Sequence, residues 1–182
     1  GNKQRRRVAE LIREAFLASL EPDVIHISSL FEGYLDNAVT SIDRFDHTTP
    51  VSVSLYDLIP LLNPDHYLEP NPAYAQYYRL KIEHLKKAAA YLAISEFTRQ
   101  EGITHLDVPQ NRVATASPAV DSGFKPFVVE DNIVSQLQKK SGLTRPFILC
   151  AGGADDRKNV PRLIQAFAAL PSALRRAHQL LL

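Results

Sequence analysis

Apolar residues along this chain fall into two kinds of spacing. Some recur every three or four positions, and others gather in short β-branched runs. From Arg5 to Leu20, the residues Val8, Leu11, Ile12, Ala15, Phe16 and Leu20 share one helical face, which predicts a helix packed through that stripe. Pro22 and Asp23 break it, and Val24–Ile27 is expected as a short buried strand. A loop from Ser28 to Gly33 leads to an expected helix near Asp36–Ile42. Pro50–Leu55 is rich in β-branched residues and predicts a second strand. Tyr56 to Pro72 holds four prolines and is expected as a long ordered loop, a kind often tied to function. The clearest helix is Asn71–Ala90, with Tyr74, Tyr77, Tyr78, Ile82, Leu85 and Ala89 at helical spacing. Its tyrosines are expected in core or rim packing.

A third strand is expected at Tyr91–Ile94, followed by a helix that Ser95 caps. A fourth follows at Arg112–Ala116. Ser117–Lys125 is expected as a boundary between residues 1–122 and 123–182. Beyond it come a helix near Glu130–Lys140, a strand at Phe147–Ala151, a helix at Val160–Leu170 and a strand beginning in Gln179–Leu182. Such alternation predicts an α/β fold, with a mainly parallel sheet covered by helices on both faces.

Composition narrows the function. Lys and Arg nearly balance Asp and Glu, for a formal net charge of +1. No global field is present to hold a nucleic acid. The local exception is Lys3–Arg7, KQRRR, which is either a contact for lipid head groups at a membrane surface or a solvated first helical turn. Cys150 is the one cysteine, so an intrachain disulfide is excluded, and its apolar surroundings predict a small buried hydrophobe. No apolar run reaches the ~18 residues of a membrane span, and a cytoplasmic protein is expected. His47, His66, His84, His105 and His178 lack metal-ligand spacing, so no metal is expected.

The segment with the most chemistry is Phe147–Phe167, FILCAGGADDRKNVPRLIQAF. An apolar strand enters Gly152-Gly153, then a charged loop with Arg157 and Lys158, then a helix. Asn159 is the expected N-cap, and Pro161 suits a first turn. Glycines permit close backbone approach, and a helix N-terminus offers unpaired N–H groups. Together with two cations, this arrangement favours a diphosphate. A solvated turn is the competing reading of the same pattern.

This segment resembles the start of the nucleotide-sugar-binding domain in glycosyltransferase family 4, the group 1 glycosyltransferases of GT-B type. The likeness lies in Gly152, Arg157-Lys158-Asn159 and Leu163-Ile164-Gln165-Ala166-Phe167. It continues upstream in Pro22–His26 with Ser29–Gly33, in Val51–Pro60, in Ala93–Arg99, and in Val120-Asp121 with Phe124–Pro126. The resemblance implies a Rossmann-like acceptor-side domain at 1–122 and the start of a donor domain at 123–182. It implies retaining transfer of a sugar, with mannose from GDP-mannose as the specific expectation, to a glycan or lipid-linked acceptor. The nucleotide sugar is then a substrate, and no cofactor is implied. Lys158 is the implied diphosphate contact, supported by Arg157, Gly152 and Gly153. An arginine of the family is replaced by Gly153. The family histidine near the reacting sugar falls at Tyr56, with Asp57 retained, which makes these the catalytic candidates. His26, Glu32 and Gly33 are acceptor-side candidates.

Both ends have the pattern of interrupted domains, so the chain alone is expected to be inactive, and its exposed faces to dock on one another or to self-associate. Peripheral contact with the inner membrane face is a further expectation. A non-catalytic nucleotide- or sugar-binding α/β module is the alternative function, and a phosphosugar epimerase is a third.

Overall fold

The computed structural model describes residues 3–126, 128–153 and 156–182. Helix α1 (Lys3–Ala18) forms where the apolar period predicts one, but it is turned over. Glu10 and Glu14 are buried, whereas Val8, Ile12, Phe16 and Leu20 are each more than half exposed. Hydrogen bonding explains the inversion. The Glu14 carboxylate accepts from Ser41 Oγ, from Arg44 N at 2.8 Å and from Phe45 N at 2.6 Å. Glu10 pairs with Arg44 at 3.4 Å. A buried carboxylate is retained only when so partnered.

Strand β1 (Ile25–Ile27) follows. No helix forms at Asp36–Ile42, contrary to the sequence reading; the stretch is irregular, with bends at Asp36 and Ile42. The chain there is held by distant partners. Lys81 Nζ donates to Thr40 O at 2.6 Å, and the His84 ring contacts Ile42. Asp36 Oδ1 accepts from Ala38 N at 2.7 Å, a local turn that competes with a helix.

Strand β2 (Val51–Leu55) leads into the proline-rich stretch, which holds two single-turn helices, α2 (Ile59–Leu62) and α3 (Pro64–Tyr67), rather than loop alone. Each has a proline in its first turn, where the missing N–H is no loss. Helix α4 (Pro72–Leu85) is capped by Asn71, whose side chain accepts from Tyr74 N. Tyr77 and Tyr78 are buried. Strand β3 (Ala90–Ala93), helix α5 (Glu96–Leu106) and strand β4 (Val113–Thr115) complete this part.

The four strands form one sheet in the order β1-β2-β3-β4, and every pairing is parallel. This is a Rossmann-like α/β arrangement, flanked by helices. The core gathers on the face of Ile27, Val53, Leu55, Tyr91, Ala93 and Val113, against Tyr78, Ile82, Leu85 and Leu106. Gly102 permits the close approach of α5, since a Cβ there would lie 2.8 Å from Leu55 Cδ2.

The chain divides into two compact units, residues 1–120 and 121–182. The second contains α6 (Asp131–Ser141), β5 (Phe147–Leu149), α7 (Val160–Ala168), α8 (Ser172–Ala177) and β6 (Gln179–Leu181). Its sheet is the parallel pair β5-β6. Helix α8 was not anticipated from the sequence. None of the described residues of this unit is buried. Phe147, Ile148 and Leu149 are exposed, and Cys150 is half-buried, against the buried thiol that the sequence suggests.

Candidate functional site

Parallel α/β sheets present ligand-facing groups where the strands end and helices begin. In the first unit that edge is built by the segments after β1, β2 and β3. After β1, Ser29 Oγ donates to Glu32 at 2.8 Å, and the Tyr77 hydroxyl donates to Phe31 O at 2.8 Å. Tyr77 also contacts Glu32 O, and the Arg6 guanidinium contacts Gly33 O. Gly33 is buried at φ +97°, where an added Cβ would lie 2.1 Å from Ala38 O. Its role is therefore to shape the loop that carries the exposed Glu32.

After β2 come Tyr56 and Asp57, both exposed. Asp57 Oδ1 accepts from Ile59 N at 3.1 Å, fixing the turn into α2. The Asp57 charge reaches three groups around it. Burial first, and then Asp57, raises the phenol pKa of Tyr74 and that of Tyr78. The Glu101 carboxyl is likewise raised by burial and by the neighbouring Asp57 charge. Tyr77, on the helix of Tyr74 and Tyr78, is raised by burial first, with the Arg6 charge opposing and the Glu32 charge adding to the rise.

After β3, Ser95 caps α5 by accepting from Thr98 N at 3.1 Å. Thr98 Oγ1 donates to Tyr56 O at 3.1 Å, tying the first turn of α5 to the end of β2. Glu96 turns toward β4, taking bonds from Gln100, Thr115 and Arg99 that hold its carboxyl at about 2. Between these two anchored neighbours, Phe97 is 74% exposed. The sequence reading passed over it as one residue of a capped helix start. It lies outside the buried stripe Thr98, Gly102 and Leu106, which its residue type alone does not disclose.

His26 stands apart from this edge. It is the middle residue of β1, with Nδ1 2.8 Å from Ser52 Oγ and Nε2 3.1 Å from Ser54 Oγ. Both ring nitrogens are engaged across the strand pair.

In the second unit, Gly152 and Gly153 follow β5, and a single 3-10 turn, Asp156–Lys158, precedes α7. Ala154 and Asp155 of the motif lie outside the described residues. Neither glycine is demanded by the chain itself. A Cβ at Gly152 would make ordinary contacts, and one at Gly153 would meet nothing within 4 Å. Lys158 is exposed beside Gly152. Asn159 occupies the N-cap position with left-handed backbone, φ 49°, and its side chain makes no cap hydrogen bond, which corrects the expected capping role. The first turn of α7 thus lacks that internal acceptor for its N–H groups. Among the described residues, no group of three or more His, Cys, Asp and Glu is disposed to hold a metal, and no helix is long and apolar enough to cross a membrane.

The sequence profile of Glycosyltransferase Family 4 matches residues 2–124. Over 181 residues, all of this chain, the sequence is 32% identical to "Serotype-specific mannosyltransferase WbdA" of Escherichia coli. A second protein of that name and species matches at the same identity over the same length. The chain spans 22% of the length of each. It is also 31% identical over 100 residues to "O-antigen chain mannosyltransferase B" of Escherichia coli, covering 55% of this chain and 26% of that protein.

Proposed function

Because this chain belongs to Glycosyltransferase Family 4, we propose that it forms part of an enzyme transferring mannose from GDP-mannose to a glycan or lipid-linked acceptor, with retention at the anomeric carbon. The observation that carries this reading is the 32% identity to a mannosyltransferase along the whole chain. In the reaction, the bond between the sugar C1 and the diphosphate oxygen breaks, and the diphosphate leaves with the electron pair. The acceptor oxygen forms the new bond to C1, and its proton passes to the departing diphosphate.

The residues divide between these two events. Lys158, the backbone at Gly152-Gly153 and the first turn of α7 receive the diphosphate. The open space beside Gly153 lets phosphate oxygens approach the main chain. Arg157 adds a second cation to this loop. Charge accumulates on the diphosphate in the transition state, and a preorganised cation is worth most there. Tyr56 and Asp57 serve the reacting sugar and its acceptor. The phenol donates a hydrogen bond, and the carboxylate accepts from a hydroxyl.

The test is transfer by the full-length enzyme with labelled nucleotide sugars, comparing wild type with Lys158→Ala. Wild type is expected to transfer mannose from GDP-mannose, and Lys158→Ala to lower kcat by about a hundredfold to a thousandfold. Arg157→Ala should cost less. An unchanged kcat in a folded Lys158→Ala enzyme would remove Lys158 from the donor site.

A further inference from the structure

We propose that His84 is the trigger of an acid-opened latch, which holds α1 and residues 40–46 against α4 while its ring is neutral and releases both when the ring takes a proton. The proposal is independent of the transferase reading above. Residues 40–46 form no helix or strand, and side chains from two helices hold them in place. From α4, Lys81 Nζ donates to Thr40 O at 2.6 Å, and His84 Nδ1 lies 3.0 Å from Ile42 O and 3.2 Å from Ile42 N. From α1, Arg13 donates to Ser41 O at 3.3 Å, and Glu14 accepts from Ser41, Arg44 and Phe45. Glu10 of α1 pairs with Arg44 at 3.4 Å. Both buried acids of α1 are thus bound to this segment, so freeing it from α4 loosens the helix as well.

The joint accommodates His84 only without charge. The residue is 2% exposed, and its Nε2 is buried with no hydrogen-bond partner among the described residues. A neutral ring has one N–H and one lone pair, and Nδ1 meets the Ile42 backbone in either tautomer. It donates to the carbonyl in one and accepts from the amide in the other. A charged ring has an N–H on both sides. It cannot accept from Ile42 N, and its second proton meets no acceptor. The surrounding charges do not compensate. Arg44 and Lys81 oppose a further cation, and Glu10, which would favour one, is held by Arg44. Asp43 is taken by His47 and Lys87, and Asp46 Oδ1 accepts from Thr48 and Thr49. Burial above all, with Arg44 and Lys81 adding to it, lowers the His84 pKa from its ordinary 6.5, against the pull of the Ile42 carbonyl and Glu10. The open latch therefore binds a proton that the closed one does not. Its stability is complete above about pH 6.5 and is lost as the pH falls below that value.

Native-state hydrogen exchange of the 182-residue chain, with each amide scaled to its intrinsic rate, reads the latch and the sheet separately. The amides of Arg44 and Phe45, held by Glu14, report the latch, and those of Ala89 and Ile94 report the sheet. Between about pH 7.5 and about pH 5, protection at Arg44 and Phe45 is expected to fall by up to about thirtyfold, the ratio for one proton bound by the open form alone. Ala89 and Ile94 should change by less than about threefold. In His84→Asn, whose amide still donates to the Ile42 carbonyl but does not titrate, the fall should vanish. A fall that persists in this variant assigns the trigger to the carboxylates and overturns the proposal. Unchanged protection at low pH in the wild type overturns it too, as does a fall shared equally by the sheet. If His84→Asn does not fold, the NMR shifts of the His84 ring decide in the wild type. A ring that stays neutral until the Arg44 and Phe45 amides open supports the latch, and one that becomes charged while they remain protected overturns it.

Discussion

A methyl group at Gly33 would sit 2.1 Å from the Ala38 carbonyl oxygen, on a backbone already at φ +97°. Both the clash and the dihedral oppose any side chain there. Gly33→Ala should cost about 3 kcal/mol of stability, read from the urea midpoint. A cost under about 0.5 kcal/mol would mean that the loop carrying Glu32 has other low-energy paths. Lys81 makes a second prediction, in pH. Burial lowers its pKa from 10.5 to about 8, so between these values the unfolded chain binds the proton that the folded chain has released. Stability contributed through Lys81 must therefore rise as pH increases from about 8 to about 10.5, and stay level below that window. Comparing urea unfolding of wild type and Lys81→Met across this range isolates the effect. A difference that is flat, or that falls, would show that Lys81 keeps its charge in the fold.

At the scale of elements, α1 gives the sharpest contrast between apolar pattern and structure. The period of Val8, Ile12, Phe16 and Leu20 identifies a helix, but not which side it docks. Here the bonds from Ser41, Arg44 and Phe45 to Glu14 decide the side. Glu14→Ala should cost about 3 kcal/mol or more, because several buried donors lose their acceptor. Ile12→Gln should change the stability of this chain by no more than about 0.5 kcal/mol. A larger loss from Ile12→Gln than from Glu14→Ala would reverse the assignment of faces. The four strands, α4 and α5 were legible because their signals are local: β-branched runs, the tyrosine spacing, and the Ser95 cap. The stretch Asp36–Ile42 was not, since Lys81, His84 and Glu14 reach it from distant helices. Of the candidate site, the sequence pointed to Tyr56 and Asp57 at a strand end, where the fold puts them. Phe97 escaped notice because one aromatic residue in a helix carries no signal until its neighbours are known to be buried. The expected cap at Asn159 failed for a similar reason, as residue type does not disclose a left-handed backbone.

At the scale of the whole chain, the two units differ in how much they bury. The first has a core with Val53, Leu85 and Ala93 fully enclosed, whereas the second has no buried residue among those described. A segment of some 60 residues with so little core is marginal by itself. The two-stranded sheet should therefore open far more readily than the four-stranded one. Native-state hydrogen exchange reads this directly. The amides of Ala89 and Ile94 bond to Val51 and Leu55 in the first sheet, and those of Cys150 and Gln179 bond to Leu181 and Pro146 in the second. All four bonds lie between 2.8 and 3.1 Å, so hydrogen-bond length does not favour either pair. The surroundings do, because exchange from a sheet without a core needs only a local opening. Protection at Cys150 and Gln179 is expected to be lower by about a hundredfold or more, in samples dilute enough to sediment as monomer. Equal protection at all four amides would mean that the units unfold as one. The same weakness bears on activity, because the proposed role of Lys158 needs it held in place, and it follows β5 of the less enclosed sheet. The 182-residue chain is accordingly expected to turn over no nucleotide sugar, and measurable transfer by the purified chain would overturn that expectation.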